Sequence, residues 1–183
     1  MALTYSEMIP LGKSAPDFKL RGIDGRNYSL ADFQGAKAFV VMFICKHCPY
    51  VVAVQDRLAR LAKTYQAKGA RFVAICSNDT DAYPEDSIDG LKEQAAKVGF
   101  EFPYLIDEQQ EVAKAYGAVC TPDLFVFDAN SKLRYRGRID DNWKDESKVS
   151  RQELAGALDA ILAGVDVNED QRPSMGCSIK WKK

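Results

Sequence analysis

The stretch KAFVVMFICKHCPYVV, residues 37–52, decides how the rest of the chain is read. From Ala38 to Ile44 every residue is apolar, with none of the alternation of a strand that has one wet face, so the segment is expected to be a strand covered on both sides. It runs directly into Cys45-Lys46-His47-Cys48. Beyond that motif Val51, Val54, Leu58, Leu61 and Tyr65 recur every three or four residues, which predicts a helix with one apolar stripe and with Asp56, Arg57, Arg60 and Lys63 on its other side. Gly69 is the expected stop. Arg71 to Cys76 reads as another buried strand, and the two strands of such a strand, helix, strand unit must be parallel. The two cysteines therefore sit at its first strand-to-helix turn.

Working outward, Asp86 to Val98 predicts a second helix ended by Gly99, and Phe102 to Ile106 a short strand. Asp107-Glu108-Gln109-Gln110 has the spacing of a capping box for a short helix that stops at Gly117. Leu124 to Phe127 and Leu133 to Arg136 flank the turn-forming Asp128-Ala129-Asn130-Ser131 and should pair as an antiparallel hairpin. A last helix is expected from Ser150, with Glu153 as its capping partner, burying Leu154, Leu158 and Ile161 before Gly164. The pattern is that of an α/β protein with a central sheet and helices on both faces. One domain is expected over residues 1–164, with a tail, 165–183, packed on or near it.

The chain has 183 residues, long enough for one full core. Its 25 Lys and Arg nearly balance 26 Asp and Glu, so composition forces no basic face and argues against nucleic acid as a partner. The opening MALTYSEMIPLGKSAPDF has neither a basic leader nor a long apolar run, and no segment approaches the roughly 20 apolar residues of a membrane span. A cytoplasmic protein is the expectation. Five cysteines, an odd number, do not suit a structural disulfide framework there.

A thiol attacks as its thiolate, and an ordinary cysteine, with a pKa of about 8.5, is mostly protonated near neutrality. Three features of CKHC favour the anion: the amides and positive end of the helix that follows, the Lys46 cation and the His47 imidazole. Stabilising the thiolate also makes the disulfide the stronger oxidant. A zinc site would need about four nitrogen and sulfur ligands, and His47 is the only histidine. Redox chemistry thus ranks above metal binding, with Cys45 and Cys48 as the working pair. Pro49 at the first helical position would make Cys48 the helix cap. Asn78-Asp79-Thr80-Asp81 reads as a polar loop on the side where open α/β sheets place their sites, and Asp140-Asp141-Asn142-Trp143 as a surface loop with Trp143 a candidate partner contact. Arg136 and Arg138 read as solvated side chains, with stabilisation of a thiolate the alternative if the hairpin end approaches the site, and Cys76 as packing.

Ala15-Pro16-Asp17-Phe18, Asp24-Gly25, the apolar strand leading into C-x-x-C, and Tyr116-Gly117-Ala118-Val119-Cys120-Thr121-Pro122 occur in an order that resembles the thioredoxin-like superfamily. More narrowly they resemble its alkyl hydroperoxide reductase and thiol-specific antioxidant (redoxin) branch, in the peroxiredoxin-like group with a C-x-x-C. The resemblance implies a mixed sheet with an N-terminal β-hairpin, no cofactor and no metal. It implies Cys45 as the more exposed nucleophile and Cys48 as the resolving thiol of a thiol-disulfide oxidoreductase, with Lys46, His47 and Cys120 in support and Thr121 and a cis Pro122 facing the dithiol. Cys177 reads as a third redox thiol or an inert one. Implied partners are protein or small-molecule thiols and disulfides, with peroxide second and a homodimer the common assembly. In peroxiredoxins a proline and a threonine precede the peroxidatic cysteine, and here those positions hold Val41 and Cys45, which weakens the peroxidase reading.

Overall fold

The computed structural model describes residues 3–183. Ten strands and four α-helices follow one another as β1 (Leu3–Tyr5), β2 (Lys19–Gly22), β3 (Asn27–Ser29), β4 (Ala38–Phe43), α1 (Pro49–Gln66), β5 (Ala70–Cys76), α2 (Ile88–Val98), β6 (Tyr104–Ile106), α3 (Glu111–Tyr116), β7 (Cys120–Thr121), β8 (Asp123–Asp128), β9 (Leu133–Gly137), α4 (Glu153–Leu162) and β10 (Met175–Ser178). Seven strands form the central sheet in the order β3-β2-β6-β5-β4-β8-β9. The pairs β4·β5 and β5·β6 are parallel and the others antiparallel, so the sheet is mixed. The hairpin of β2 and β3 is its N-terminal edge.

Strand β4 is the spine, and its sequence shows why. All six residues are buried, and because successive side chains point to opposite faces, Val40 and Met42 enter a core with Leu58 of α1, Leu91 of α2 and Leu158 of α4. Phe39, Val41 and Phe43 enter the opposite core with Phe33, Val112 and Tyr116. A strand clamped between two helical layers gains nothing from a polar residue on either side, hence the unbroken apolar run.

Several sequence expectations change in detail. Helix α1 ends at Gln66 rather than beside Gly69, whose φ of +98° serves the turn into β5. Arg57, expected on the wet side of α1, is buried against the Asp140 carboxylate and the Asn142 and Trp143 carbonyls, so Asp140 is not a surface residue either. Helix α2 starts at Ile88, with the Ser87 hydroxyl as its cap, which leaves Asp86 outside it in the turn Pro84–Asp86. Neither expected capping box forms: the Asp107 carboxylate accepts directly from the Ala113 N–H at 2.9 Å, while Ser150 bonds Asp141 and Glu153 takes Arg138. Arg136 is fully buried, paired with Asp123 at 2.9 Å and lying 4.5 Å from the centre of the Phe125 ring.

The segment read as a tail contributes structure. Residues 175–178 form β10, the middle strand of a small sheet ordered β1-β10-β7. Ser174 and Ser6 tie its start through reciprocal bonds of 2.8 and 2.9 Å, and Ile179 N–H reaches the Val119 carbonyl at 3.0 Å just after it.

Candidate active site

Strand β4 carries the chain to the turn Ile44 to Cys48, and Pro49 then occupies the first helical position of α1, where its missing N–H is not needed. That makes Cys48 the helix cap. The turn is held from outside by one carboxylate. Asp86, itself buried, accepts from the Lys46 N–H at 2.8 Å, the His47 N–H at 3.2 Å, the His47 ring Nδ1 at 2.5 Å and the Asn78 amide at 2.8 Å. His47 lies flat on Tyr83, ring centres 5.1 Å apart. Burial alone would raise the Asp86 pKa, but the bonds from His47 and Asn78 outweigh it and leave the carboxyl below its usual value. The same bond to Asp86 raises His47 against its partial burial. The result is a pair at the base of the motif between a half-buried imidazole and a buried carboxylate.

Thr121 closes the site from the other side. The peptide bond between Thr121 and Pro122 is cis. The Thr121 hydroxyl lies 3.5 Å from Cys45 Sγ, and its carbonyl 3.1 Å from Cys48 Sγ, where a protonated Cys48 would donate. When Cys48 is ionised it takes the hydroxyl instead. The two sulfurs lie on one short turn, and each weighs on the ionisation of the other. The anion rests on Cys48, whose pKa is pushed down to about 5 by the Cys45 thiol first, then by the Thr121 hydroxyl and the Val51 and Cys177 backbone amides, against the effect of burial. Cys45 keeps the proton: Cys48, burial and the Asp86 charge all push its pKa well above the ordinary cysteine value.

Two expectations about the motif are thereby corrected. Cys45 is not the exposed sulfur, since it is 1% exposed and Cys48 0%; the fold covers both. Nor does the Lys46 cation stabilise the thiolate, because it points outward and pairs with Glu93 at 2.5 Å. Cys120 is fully buried with its thiol 3.8 Å from the Pro122 carbonyl, and burial pushes its pKa up, as it does for Cys76. Cys177 lies on β10 directly opposite Thr121 in the strand register. None of the five cysteines is in a disulfide. Cys45, His47 and Asp86 offer donor atoms within 4.8 Å of one another, but the bond between His47 Nδ1 and Asp86 already uses two of them, and three donors fall short of a zinc set.

Asp86 and Gln94 escaped the sequence reading, and Asn78 entered it only as part of a polar loop, whereas its amide is buried against Asp86. Gln94 sits under the motif, its amide 3.4 Å from the Cys45 carbonyl. For Asp86 a signal existed: Pro84 and Ser87 flank it, and a serine cap at 87 places residue 86 before the helix.

The chain belongs to the Redoxin family, which it matches over residues 10–152. It is 29% identical over 133 residues to the thiol-disulfide oxidoreductase ResA of Geobacillus thermodenitrificans, covering 72% of this chain and 71% of that one. A conserved protein of Geobacillus kaustophilus, known as a crystal structure, is 51% identical, with a TM-score of 0.95 over 100% of this chain and 97% of that one. A secreted disulfide oxidoreductase of Mycobacterium tuberculosis superposes with a TM-score of 0.61 at 19% identity over 78% of this chain and 95% of that one, which shows the thioredoxin-like fold.

Proposed function

We propose that this protein is a thiol-disulfide oxidoreductase that works through Cys45 and Cys48. The observation that carries the reading is the Cys45-x-x-Cys48 pair at the start of α1, with the hydroxyl of Thr121 against one sulfur, its carbonyl against the other and a cis peptide bond to Pro122 just beyond. The ResA name of the curated relative agrees with it.

Cys45 is the attacking sulfur in this scheme, and the Cys48 thiolate is its base. The Cys45 proton passes to Cys48, the Cys45 sulfur attacks one sulfur of a substrate disulfide, and the first product leaves as a thiolate that takes the proton from Cys48. Cys48, again anionic, attacks Cys45 and expels the second product, so that two electrons pass from the dithiol to the substrate and the Cys45–Cys48 disulfide forms. A thiol whose pKa is high is the better nucleophile once its proton is removed, which suits Cys45 to the first attack. The low pKa of Cys48 makes it the better leaving group when an outside thiol attacks Cys45 to reverse the reaction.

The test is the reaction of the reduced protein with oxidised glutathione and, separately, hydrogen peroxide, followed by mass spectrometry of Cys45→Ser and Cys48→Ser beside the parent. Trp143, packed 4.3 Å from Tyr50 at the start of α1, supplies an optical signal. Fast loss of two thiols with the disulfide, slow loss with peroxide, and a glutathione adduct on Cys45 in Cys48→Ser are expected. Peroxide reacting faster than the disulfide would make the protein a peroxidase built on Cys48. The cytoplasmic setting belongs to the same proposal, supported by five cysteines of which none serves as a structural staple, and cell fractionation checks it.

A further inference from the structure

Strand β7 is two residues long and ends at Thr121, so one backbone edge runs beside the dithiol, with the Thr121 carbonyl 3.1 Å from Cys48 Sγ. An extended segment bearing a cysteine would pair there with its sulfur against the motif. In this structure the edge is already filled by β10, antiparallel, with Cys177 opposite Thr121 and Ser178 opposite Cys120. The fit is close. A Cβ on Gly176 would stand 1.8 Å from the Thr121 carbonyl oxygen, so only glycine lets the strand approach this far. Residues directly opposite in an antiparallel pair share a face, so the Cys177 side chain lies on the face where the Thr121 hydroxyl meets Cys45, and Cys177 is buried in one cluster with Cys45 and Cys48. Cys48 thus has two thiols near it, Cys45 from its own turn and Cys177 from a strand 129 residues further along.

We propose that Cys177 is a third redox thiol, presented by β10 in the position of a substrate cysteine, which exchanges with the oxidised pair at Cys48. The proposal rests on the dithiol reading of Cys45 and Cys48 given above. In the step, the Cys177 sulfur attacks Cys48 of the Cys45–Cys48 disulfide. The S–S bond to Cys45 breaks, a Cys48–Cys177 bond forms, and Cys45 leaves as a thiolate that takes the Cys177 proton. No electrons enter or leave, so no outside oxidant is involved, and the protein remains oxidised while Cys45 is again a thiol. While Cys48 is anionic, burial first and then the neighbouring charge keep Cys177 protonated, with its pKa pushed up to about 12. Oxidation of Cys48 removes that charge and with it one barrier to the attack.

The experiment treats the full chain carrying Cys45→Ser with oxidised glutathione and weighs the product, beside Cys177→Ser and the double variant. The expected result for Cys45→Ser is loss of two hydrogens with no retained glutathione, and fragmentation that joins Cys48 to Cys177. In the double variant the glutathione stays on Cys48. Adding Gly176→Val to Cys45→Ser, which pushes β10 off Thr121, slows closure of the second disulfide several-fold. A stable glutathione adduct on Cys45→Ser, or thiols that do not react at all, overturns the proposal. Cys177→Ser separates that failure from failure of the underlying reading: it must still close the Cys45–Cys48 disulfide, and if it does not, the dithiol reading itself falls.

Discussion

Replacing Thr121 by valine takes one hydroxyl from between the two sulfurs and leaves the shape and strand preference of the side chain unchanged. That hydroxyl is 3.5 Å from Cys45 Sγ and helps hold the Cys48 pKa at about 5. A hydrogen bond to a charged group contributes roughly 1.5–3 kcal/mol, and sulfur, a weak acceptor, takes the lower end. Since one pKa unit is about 1.4 kcal/mol, Cys48 in Thr121→Val should rise by about one unit. The bond stabilises only the reduced, anionic form. For a two-electron couple about 1.4 kcal/mol is about 30 mV, so the variant should be a weaker oxidant by about that much near pH 7. Equilibration with glutathione redox mixtures, read by alkylation and mass spectrometry, measures the potential. Repeating it across pH adds a second signature. Each proton taken up on reduction lowers the potential by about 30 mV per pH unit, so the slope is one-proton above the Cys48 pKa and two-proton below it. The break, expected at about pH 5 in the parent, should move up in the variant. A break that stays in place, or a variant that oxidises more strongly than the parent, would refute the assignment of the anion to Cys48.

Asp86→Asn should destabilise the protein by about 3 kcal/mol, the cost of leaving one member of a buried ion pair unmatched, and the deficit should depend on pH. His47 is raised by Asp86, so its share of stability is fully present below about pH 6.5 and is lost as pH rises through its folded value. Asp86 is lowered, so its share is present above about pH 3.9 and is lost as pH falls through its folded value. Urea unfolding of parent and variant should therefore differ most between about pH 4 and 6.5, and a deficit that grows toward alkaline pH would sink the argument. Arg136→Met or Asp123→Asn alone should each destabilise by about 3–5 kcal/mol, because each strands the other's charge in a site fully removed from water. The double variant Arg136→Met with Asp123→Asn should recover part of that loss; additive losses in thermal unfolding would show that the two side chains act separately.

What the sequence disclosed and what it hid divide along one physical line. Strand β4, the cysteine turn and helix α1 were legible because periodicity and burial are properties of neighbours in the chain, and six apolar residues in a row admit few other structures. Arg57, Asp86 and Arg136 were misread for the opposite reason. Each is a charged residue whose burial is made tolerable by a partner far away in sequence: Asp140 for Arg57, His47 and two amides for Asp86, Asp123 for Arg136. Nothing in the local pattern marks a charge that has such a partner from one that has only water. The capping boxes failed in the same manner, since Glu153 found Arg138 and Ser150 found Asp141. At the dithiol, residue types pointed to the right loop but to the wrong cation: Lys46 was drawn outward by Glu93, and the stabilisation of the thiolate passed to groups the motif does not contain.

Those groups give the pair a direction. Asp86 fixes the turn through two amides and, from the same position, its charge adds to the effects of Cys48 and of burial that keep the proton on Cys45. Thr121 and the backbone of β10 supply donors to the other sulfur, so the anion settles on Cys48. A neutral residue at 86 should therefore make Cys45 more acidic even though Cys45 and Asp86 share no bond. The same donors make β10 part of the chemistry: the strand that shields Cys48 from water also contributes the Cys177 amide that stabilises its charge. A strand serving only as a lid would have no need to bury a thiol in one cluster with the pair, nor to place a glycine where any side chain would strike the Thr121 carbonyl.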